Sequence, residues 1–574
     1  MVFLRTHRWA LVTAFFVAFC AGAPAAIAPI ALGGDYKGIQ YMYQDDDDIY
    51  RARIHEILDG HGAVVSPFLY EYKQESANVA PTGEWFYALP AFIVGLPVIF
   101  LAYKFLLPAA LFFLVYLFTR ALLSEEKHAV WTAVAAGLLV TLGYDFVDYH
   151  SMLQILRGAP PGLLVWTRTV NPITGAVALF GFLLLLWQSL ERRTPIVIAG
   201  GAALLALMVG YYFAWGIALC VLGTLFLMYL SLRDYPRALT LFGIGVLSIV
   251  LLVPYLYIAL TMFGSNDGEH TATRTGMFFT HSPVFNSVLI LATVLGALFF
   301  FCAYWFGVWR ERSKSWLFIG AMLAASWLAF NEQVITGREI WYHHFVQYTI
   351  PFSYITVLAA AHLSVRALAP RLWPYAIAVL IVFTGTYGIH TTTSVLFHIN
   401  DFAKEQAYGP VMTWLTNNAP KDCVVLAVEK EEKAARLIPA YSQCNTYIST
   451  SVFYAIPVDR ILHNMLLQLR LQNVSPDDVE SYLRAHEDLV RSYLFTDWNQ
   501  LFAPGDEEWL ATTITTVAAD YRDFAVGDLE AQIRSYRVDY LLSEGPLAPE
   551  VLAQLPHLPE KGVIGQFNIY TFEP

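Results

Sequence analysis

Charge is scarce in this chain. Only 14% of its 574 residues are Asp, Glu, Lys or Arg, where ordinary soluble domains carry about 25%, and the deficit excludes a water-soluble globular protein. Basic residues are the fewer, 35 Lys plus Arg against 46 acids for a formal charge of −11. No basic tract offers a footing for a phosphate backbone, so nucleic acid is not an expected partner. Cysteine is rarer still: five residues, no CxxC and no His/Cys spacing suited to zinc. A GxxxxGK(S/T) loop is missing, which removes a P-loop nucleotide site. Internal repeats and low-complexity tracts are missing too.

What the chain has in excess is apolar length. Hydrophobic residues make up 57% and aromatics 15%, and uncharged runs able to cross about 30 Å of hydrocarbon as helices recur through the first two thirds. Eleven spans are expected, at about 9–32, 105–123, 128–143, 172–190, 195–211, 216–232, 238–263, 284–308, 316–330, 345–365 and 373–390. A further segment, WFYALPAFIVGLPVIFL at 85–101, carries Pro90 and Pro97. Short cytoplasmic loops are enriched in Lys and Arg. Leaving 85–101 uncrossed places 13 basic residues on cytoplasmic pieces against 9 on outer loops, whereas a crossing gives 7 against 15. The expected layout is a polytopic α-helical protein of a plasma or inner membrane, amino terminus cytoplasmic and carboxyl terminus outside. The first 32 residues also fit a signal peptide, with AGAPAA as cleavage site. The uncharged run from Trp9 to Gly34 exceeds a typical h-region of about 7–15 residues, which favours a retained helix.

Residues 1–390 are thus read as the membrane domain, with an acidic outer loop at 33–104, and 391–574 as an extracytoplasmic α/β domain. There the composition shifts to 25 acids against 13 Lys plus Arg. An amphipathic stretch at 404–418 precedes a β-rich CVVLAVE at 423–429, helical patterns run through 455–535, and strand-like RVDYLLSE and GQFNIYTF follow. Cys423 and Cys444 lie in this domain and can pair in an oxidising compartment; their spacing alone does not decide it.

The chemistry concentrates on the outer loops, which before residue 391 hold 16 acids against 5 on the cytoplasmic side. QDDDDIYRARIHEILDGHG, 44–62, reads as one helix with Ile49, Ile54, Ile57 and Leu58 as its apolar stripe, its acids favoured at the start by the helix dipole and Asp59 and Gly60 ending it. Four adjacent carboxylates repel one another unless a cation, an Arg or solvent relieves them. A solvated helix cap is one reading. The other is a site, because the run follows a membrane helix directly and sits beside Tyr50, Arg51, Arg53 and His55. A carboxylate there can bind a divalent cation or take a proton from an attacking hydroxyl.

On these residues the sequence resembles the class C (GT-C) glycosyltransferases, membrane enzymes that use polyprenyl-phosphate-linked sugars. The closer likeness is to the catalytic subunit of oligosaccharyltransferase, whose first outer loop has an Asp six residues before an Arg that begins a short apolar helix. Here that spacing selects Asp45 before Arg51, and Asp47 completes a DxD pair. The resemblance implies a GT-C-like fold of about eleven spans with an outer carboxyl domain, Asp45 and Asp47 as catalytic residues, and the same two as ligands if a divalent cation, Mg or Mn, is used. It also implies a second-loop Arg, matched by Arg168, which TVNPITGAV follows without the acid the family carries. An acid in a comparable later loop points to Glu269 in SNDGEHTATRTGMFFTHSP, 265–283, otherwise a plain polar loop. The family's WWDxG sequon-recognition motif is missing; the nearest string is TDWNQ at 496–500. Asn-linked transfer is therefore not expected.

Two further features come from the residues themselves. Asp145 and Asp148 in GYDFVDYH lie one helical turn apart near the membrane surface, where they could share a cation or proton with the first-loop acids, or only cap a span. Arg338 in NEQVITGREIWYHHF is placed to hold a lipid phosphate by two parallel hydrogen bonds, with a structural pair to Glu332 or Glu339 as the plain alternative. The expected activity is transfer of a sugar from a polyprenyl-phosphate-linked donor, on the extracytoplasmic face, to a glycan or protein acceptor, with Arg338 and Arg168 on the phosphate. A transporter or flippase of lipid-linked sugars, or a non-catalytic membrane scaffold, is the alternative. Ion-coupled transporters place ionisable residues inside their spans, and from the fourth span to the eleventh only His362 does so.

Overall fold

The computed structural model describes residues 2–42, 46–75, 79–123, 129–263, 274, 277–429, 433–449, 456–496, 500 and 507–572. Each apolar run is a helix. They are α1 (Val2–Leu32), α4 (Leu96–Leu123), α5 (Ala129–Leu142), α7 (Ile173–Arg192), α8 (Pro195–Leu207), α9 (Tyr212–Ser231), α10 (Tyr235–Phe263), α11 (Ser287–Trp305), α12 (Ser313–Phe330), α13 (Val346–Leu368) and α14 (Trp373–Thr391). Among the described residues nine helical stretches are long and apolar enough to cross a membrane, and α5 and α8 are apolar but shorter. The protein is a polytopic helical membrane protein, with α4 at the centre of its bundle against α1, α5 and α7.

The 85–101 segment is two helices. α3 (Thr82–Val94) ends where Gly95 adopts φ +86, a conformation glycine enters without steric cost, and α4 starts at Leu96. The rings of Phe86 and Tyr87 lie on Tyr103 of α4, folding the two helices back on each other. Lys104 Nζ donates to the carbonyl of Thr167 in the second loop at 2.8 Å, so the first turns of α4 stand at loop level. From residue 105 onward some 19 residues remain, about 28 Å at 1.5 Å per residue, one hydrocarbon thickness.

The carboxyl-terminal domain carries a five-stranded sheet in the order β4-β3-β5-β7-β6, built from β3 (Val424–Val428), β4 (Asn445–Thr446), β5 (Tyr540–Glu544), β6 (Glu560–Ile564) and β7 (Phe567–Thr571). β4, β3 and β5 are parallel, and β5, β7 and β6 antiparallel. Cys423 and Cys444, each just ahead of a strand, are disulfide-bonded.

Packing crosses the sequence boundary at 390. The first-loop helix α2 (Asp46–Leu58) lies against α17 (Lys433–Tyr441), which follows β3. Phe68 and Leu69 of the first loop are buried in the carboxyl-terminal domain's core, and the Thr446 N–H donates to the Phe68 carbonyl at 3.0 Å. Between the last span and the sheet come α15 (Ser394–Glu405), packed on the end of α1, and α16 (Gly409–Asn418). First loop, second loop and outer domain therefore meet at one end of the bundle.

Candidate functional site

Successive residues on a helix point about 100° apart, and the first turn of α2 uses this to aim three carboxylates at three neighbours. Asp46 Oδ2 accepts from Arg168 Nη2 at 2.6 Å. Asp47, 1% exposed, accepts from the backbone N–H of Thr169 at 2.5 Å. Burial without such a donor would cost that carboxylate several kcal/mol, on the order of 3–5. Lys104 lies within electrostatic reach of Asp47 and holds the carbonyl of Thr167, so residues 167–169 are pinned from two helices at once.

Around Arg168 stand Tyr50, Tyr211 and His344, all within its electrostatic reach. The Tyr50 hydroxyl accepts from Asn171 Nδ2 at 3.5 Å, and burial pushes its phenol up to about 12. Tyr211 donates to Gln347 at 2.7 Å. A guanidinium in a half-buried, phenol-lined position beside two carboxylates can hold an oxyanion by directed hydrogen bonds.

Asp48 points the other way, toward the outer domain. It is 4% exposed and takes no hydrogen bond among the described residues. Burial pushes its carboxyl up to about 7, opposed by Lys433 and Arg436 and reinforced by Glu405 and Asp47. It lines a cavity of about 410 Å³ between α2, α15, the 39–42 segment, the second loop and Lys433.

The rest of α2 anchors the outer domain. Arg51 Nε donates to the Ala440 carbonyl at 2.7 Å and its guanidinium lies 3.8 Å from the Tyr441 ring centre. Arg53 and Glu84 form a buried ion pair at 2.5 Å. Lys73 bridges Glu56 at 2.7 Å and Asp422 at 2.9 Å.

Of the residues singled out from sequence, Asp47 and Arg168 share one site. Asp45 and Glu269 lie outside the described residues. Asp145 accepts from the Tyr387 hydroxyl at 3.0 Å, and burial raises its pKa. Asp148 is exposed and caps α6 (Tyr149–Leu156), where hydrogen bonds from the Ser151 hydroxyl and N–H and from the His150 N–H hold its carboxyl below the usual range. Asp145 lies on the 3₁₀ turn Tyr144–Val147 and Asp148 takes extended backbone at the start of α6, so their hydrogen-bond partners differ while Asp148 stays within electrostatic reach of Asp145. Arg338 is exposed on β2 (Arg338–Ile340), paired with β1 (Met277–Phe279), its guanidinium over the Phe279 ring. Nearby Glu332 accepts from the Tyr212 hydroxyl at 2.6 Å.

Sequence reading missed Asp46 as Arg168's partner, Lys104, and the cavity under Asp48. A lysine nine residues into an apolar helix was the one available signal. No three His, Cys, Asp or Glu side chains are grouped to hold a metal among the described residues. Asp46 and Asp47 already have donors in Arg168 and the Thr169 N–H.

No protein-family model and no curated protein matches the chain. Among solved structures, ArnT from Cupriavidus metallidurans bound to undecaprenyl phosphate is similar over 95% of this chain and 97% of that chain, with TM-score 0.48 and 12% identity. The same protein in the apo state is similar over 95% and 96%, with TM-score 0.45 and 12% identity. The likeness runs the length of both chains, and at this level of superposition it fixes neither a family nor an activity for this one.

Proposed function

We propose that the chain is a membrane glycosyltransferase that moves a sugar from a polyprenyl-phosphate-linked donor to an acceptor on the extracytoplasmic face. The observation that carries this reading is the meeting of Asp46, Asp47 and Arg168 at one end of the helical bundle, with Arg168 drawn from a loop 122 residues away. An acceptor hydroxyl attacks the anomeric carbon, its proton passes to a first-loop carboxylate, Asp45 or Asp47, and the sugar–phosphate C–O bond breaks with its electron pair leaving on the polyprenyl phosphate. Arg168 offsets the charge growing on that phosphate, with Arg338 of the outer hairpin as a second contact, the kind of directed electrostatic help that contributes most to such barriers. Arg168 is paired with Asp46 before the donor enters, so phosphate competes with a carboxylate for it.

The extracytoplasmic side is supported by the excess of basic residues on the opposite loops and by the Cys423–Cys444 disulfide, which suits an oxidising compartment. The acceptor is a glycan, free or lipid-linked, or a protein side chain other than the sequon Asn. The test compares membranes of cells carrying wild-type chain with those carrying an Asp45→Asn, Asp47→Asn double variant. The lipid-linked sugar pool is followed by mass spectrometry. Accumulation of one polyprenyl-phosphate sugar in the variant is expected; wild-type levels with wild-type transfer reject the assignment.

A further inference from the structure

Asp46 and Asp47 bond to residues 168 and 169 of the second loop, while Asp48, one step further round the same helical turn, lines the cavity of about 410 Å³. That volume lies within the range of small-molecule sites, about 300–1,000 Å³. Tyr41, Leu163 and Phe402 give it apolar walls, and Asp48, Asp401 and Glu405 give it acids. Its one lysine, Lys433, is engaged by Glu405 at 2.8 Å. An excess of acid disfavours phosphate here and leaves that chemistry to the Arg168 side. Lys433 and Arg436 act on Asp48 through space, and with no hydrogen bond among the described residues its oxygens can still accept from a ligand. Sugars match the lining, with hydroxyls as donors and apolar ring faces for the walls. The cavity also sits at the lipid boundary: on α15, Leu396 and Phe397 are 60% and 55% exposed at the end of the last span, while His398, Asp401 and Glu405 line the cavity.

Resting on the glycosyltransferase reading, we propose that this cavity is the acceptor's site and takes an uncharged, hydroxylated sugar headgroup whose hydroxyls donate to Asp48. It brings the acceptor sugar to the first turn of α2, the turn whose Asp46 and Asp47 hold the second loop at Arg168 and Thr169.

Binding can be tested without turnover. Gly162 lines the cavity, and a Cβ there meets nothing within 4 Å. Gly162→Cys is made in the full-length chain with the free cysteines Cys20, Cys220 and Cys302 changed to Ala, reconstituted in nanodiscs, and its rate of maleimide labelling is measured. The probes are hexyl glucoside below its micellar concentration, free glucose, hexyl phosphate and hexylamine. Hexyl glucoside is expected to slow labelling, and Asp48→Asn to raise the half-protecting concentration about tenfold, the effect of losing one hydrogen bond to a charged group. Equal protection by glucose upholds the sugar site and assigns a soluble acceptor; protection by the glucoside alone assigns a lipid-carried one. Protection by hexyl phosphate or hexylamine equal to that by hexyl glucoside, or protection unchanged in Asp48→Asn, overturns the proposal. Labelling that is protected while transfer is absent strikes the donor reading alone, and the reverse result strikes the cavity alone.

Discussion

The backbone N–H of Thr169 donates to Oδ1 of Asp47 at 2.5 Å, so a buried carboxylate of the first loop is held by the main chain of the second. The Thr169 side chain takes no part: its hydroxyl is buried and has no partner among the described residues. Asp47→Asn is expected to lower stability by about 1.5–3 kcal/mol, the contribution of a hydrogen bond to a charged group. Thr169→Val, close in volume and free of that hydroxyl, is expected to leave the unfolding temperature unchanged or slightly raised. Thermal unfolding of the two purified variants checks both.

Arg53 and Glu84 are a buried pair, and the cost of breaking one differs from the cost of removing it. Glu84→Ala removes the carboxylate that faces a buried guanidinium and is expected to cost about 3–5 kcal/mol. Replacing both, Arg53→Met with Glu84→Leu, is expected to cost less than either single change. A double-mutant cycle on unfolding free energies shows which order holds.

Asp48 gives a pH dependence with a definite sign. Its carboxyl rises from 3.8 to about 7 on burial, so folding favours the protonated form, and its contribution is fully present below pH 3.8 and lost as pH climbs through about 7. Asp48→Asn mimics the protonated acid. Its unfolding temperature is expected to match wild type at the acid end, exceed it increasingly toward neutral pH and then hold a constant lead. A difference independent of pH contradicts the assignment.

Arg168 is irreplaceable by Lys if it holds a phosphate through a fork of donors, since an ammonium is a point charge. Arg168→Lys is expected to lower transfer at least about tenfold, and Arg168→Ala about a hundredfold, in line with loss of one transition-state donor. Initial rates with saturating lipid-linked donor decide it.

Sidedness has its own measurement. Ser313 is exposed at the start of α12, and Val526 is 86% exposed on the outer domain. In intact cells an impermeant thiol reagent is expected to label Val526→Cys and spare Ser313→Cys, with the reverse in inverted vesicles.

The spans were legible in the sequence because hydrocarbon imposes a length and a composition that no tertiary partner changes. For 85–101, loop charge argued against a crossing, and the chain breaks there into two helices at Gly95. The strands of the outer domain were legible from CVVLAVE, RVDYLLSE and GQFNIYTF for the same kind of reason. The site was legible only in outline. Four consecutive aspartates are chemically identical, and what separates Asp46 on Arg168, Asp47 on Thr169 and Asp48 over the cavity is direction in space, fixed by loops more than a hundred residues away. The Asp145–Asp148 spacing suggested a shared helical face, and the extended backbone of Asp148 breaks it.

The bond from Arg51 to the Ala440 carbonyl joins residues 389 apart in sequence. At about 5–20 residues per second of synthesis, the first-loop helix emerges some 20–80 s before the backbone that receives it exists. Until then Arg51 has Gln40 and Lys73 has Glu56 within the first loop, while their bonds to Ala440 and Asp422 wait for the later segment. Synthesis order therefore puts the membrane helices ahead of the segment that completes their packing at this end. A chain cut short before residue 440 keeps every span and loses the backbone on which Arg51 rests.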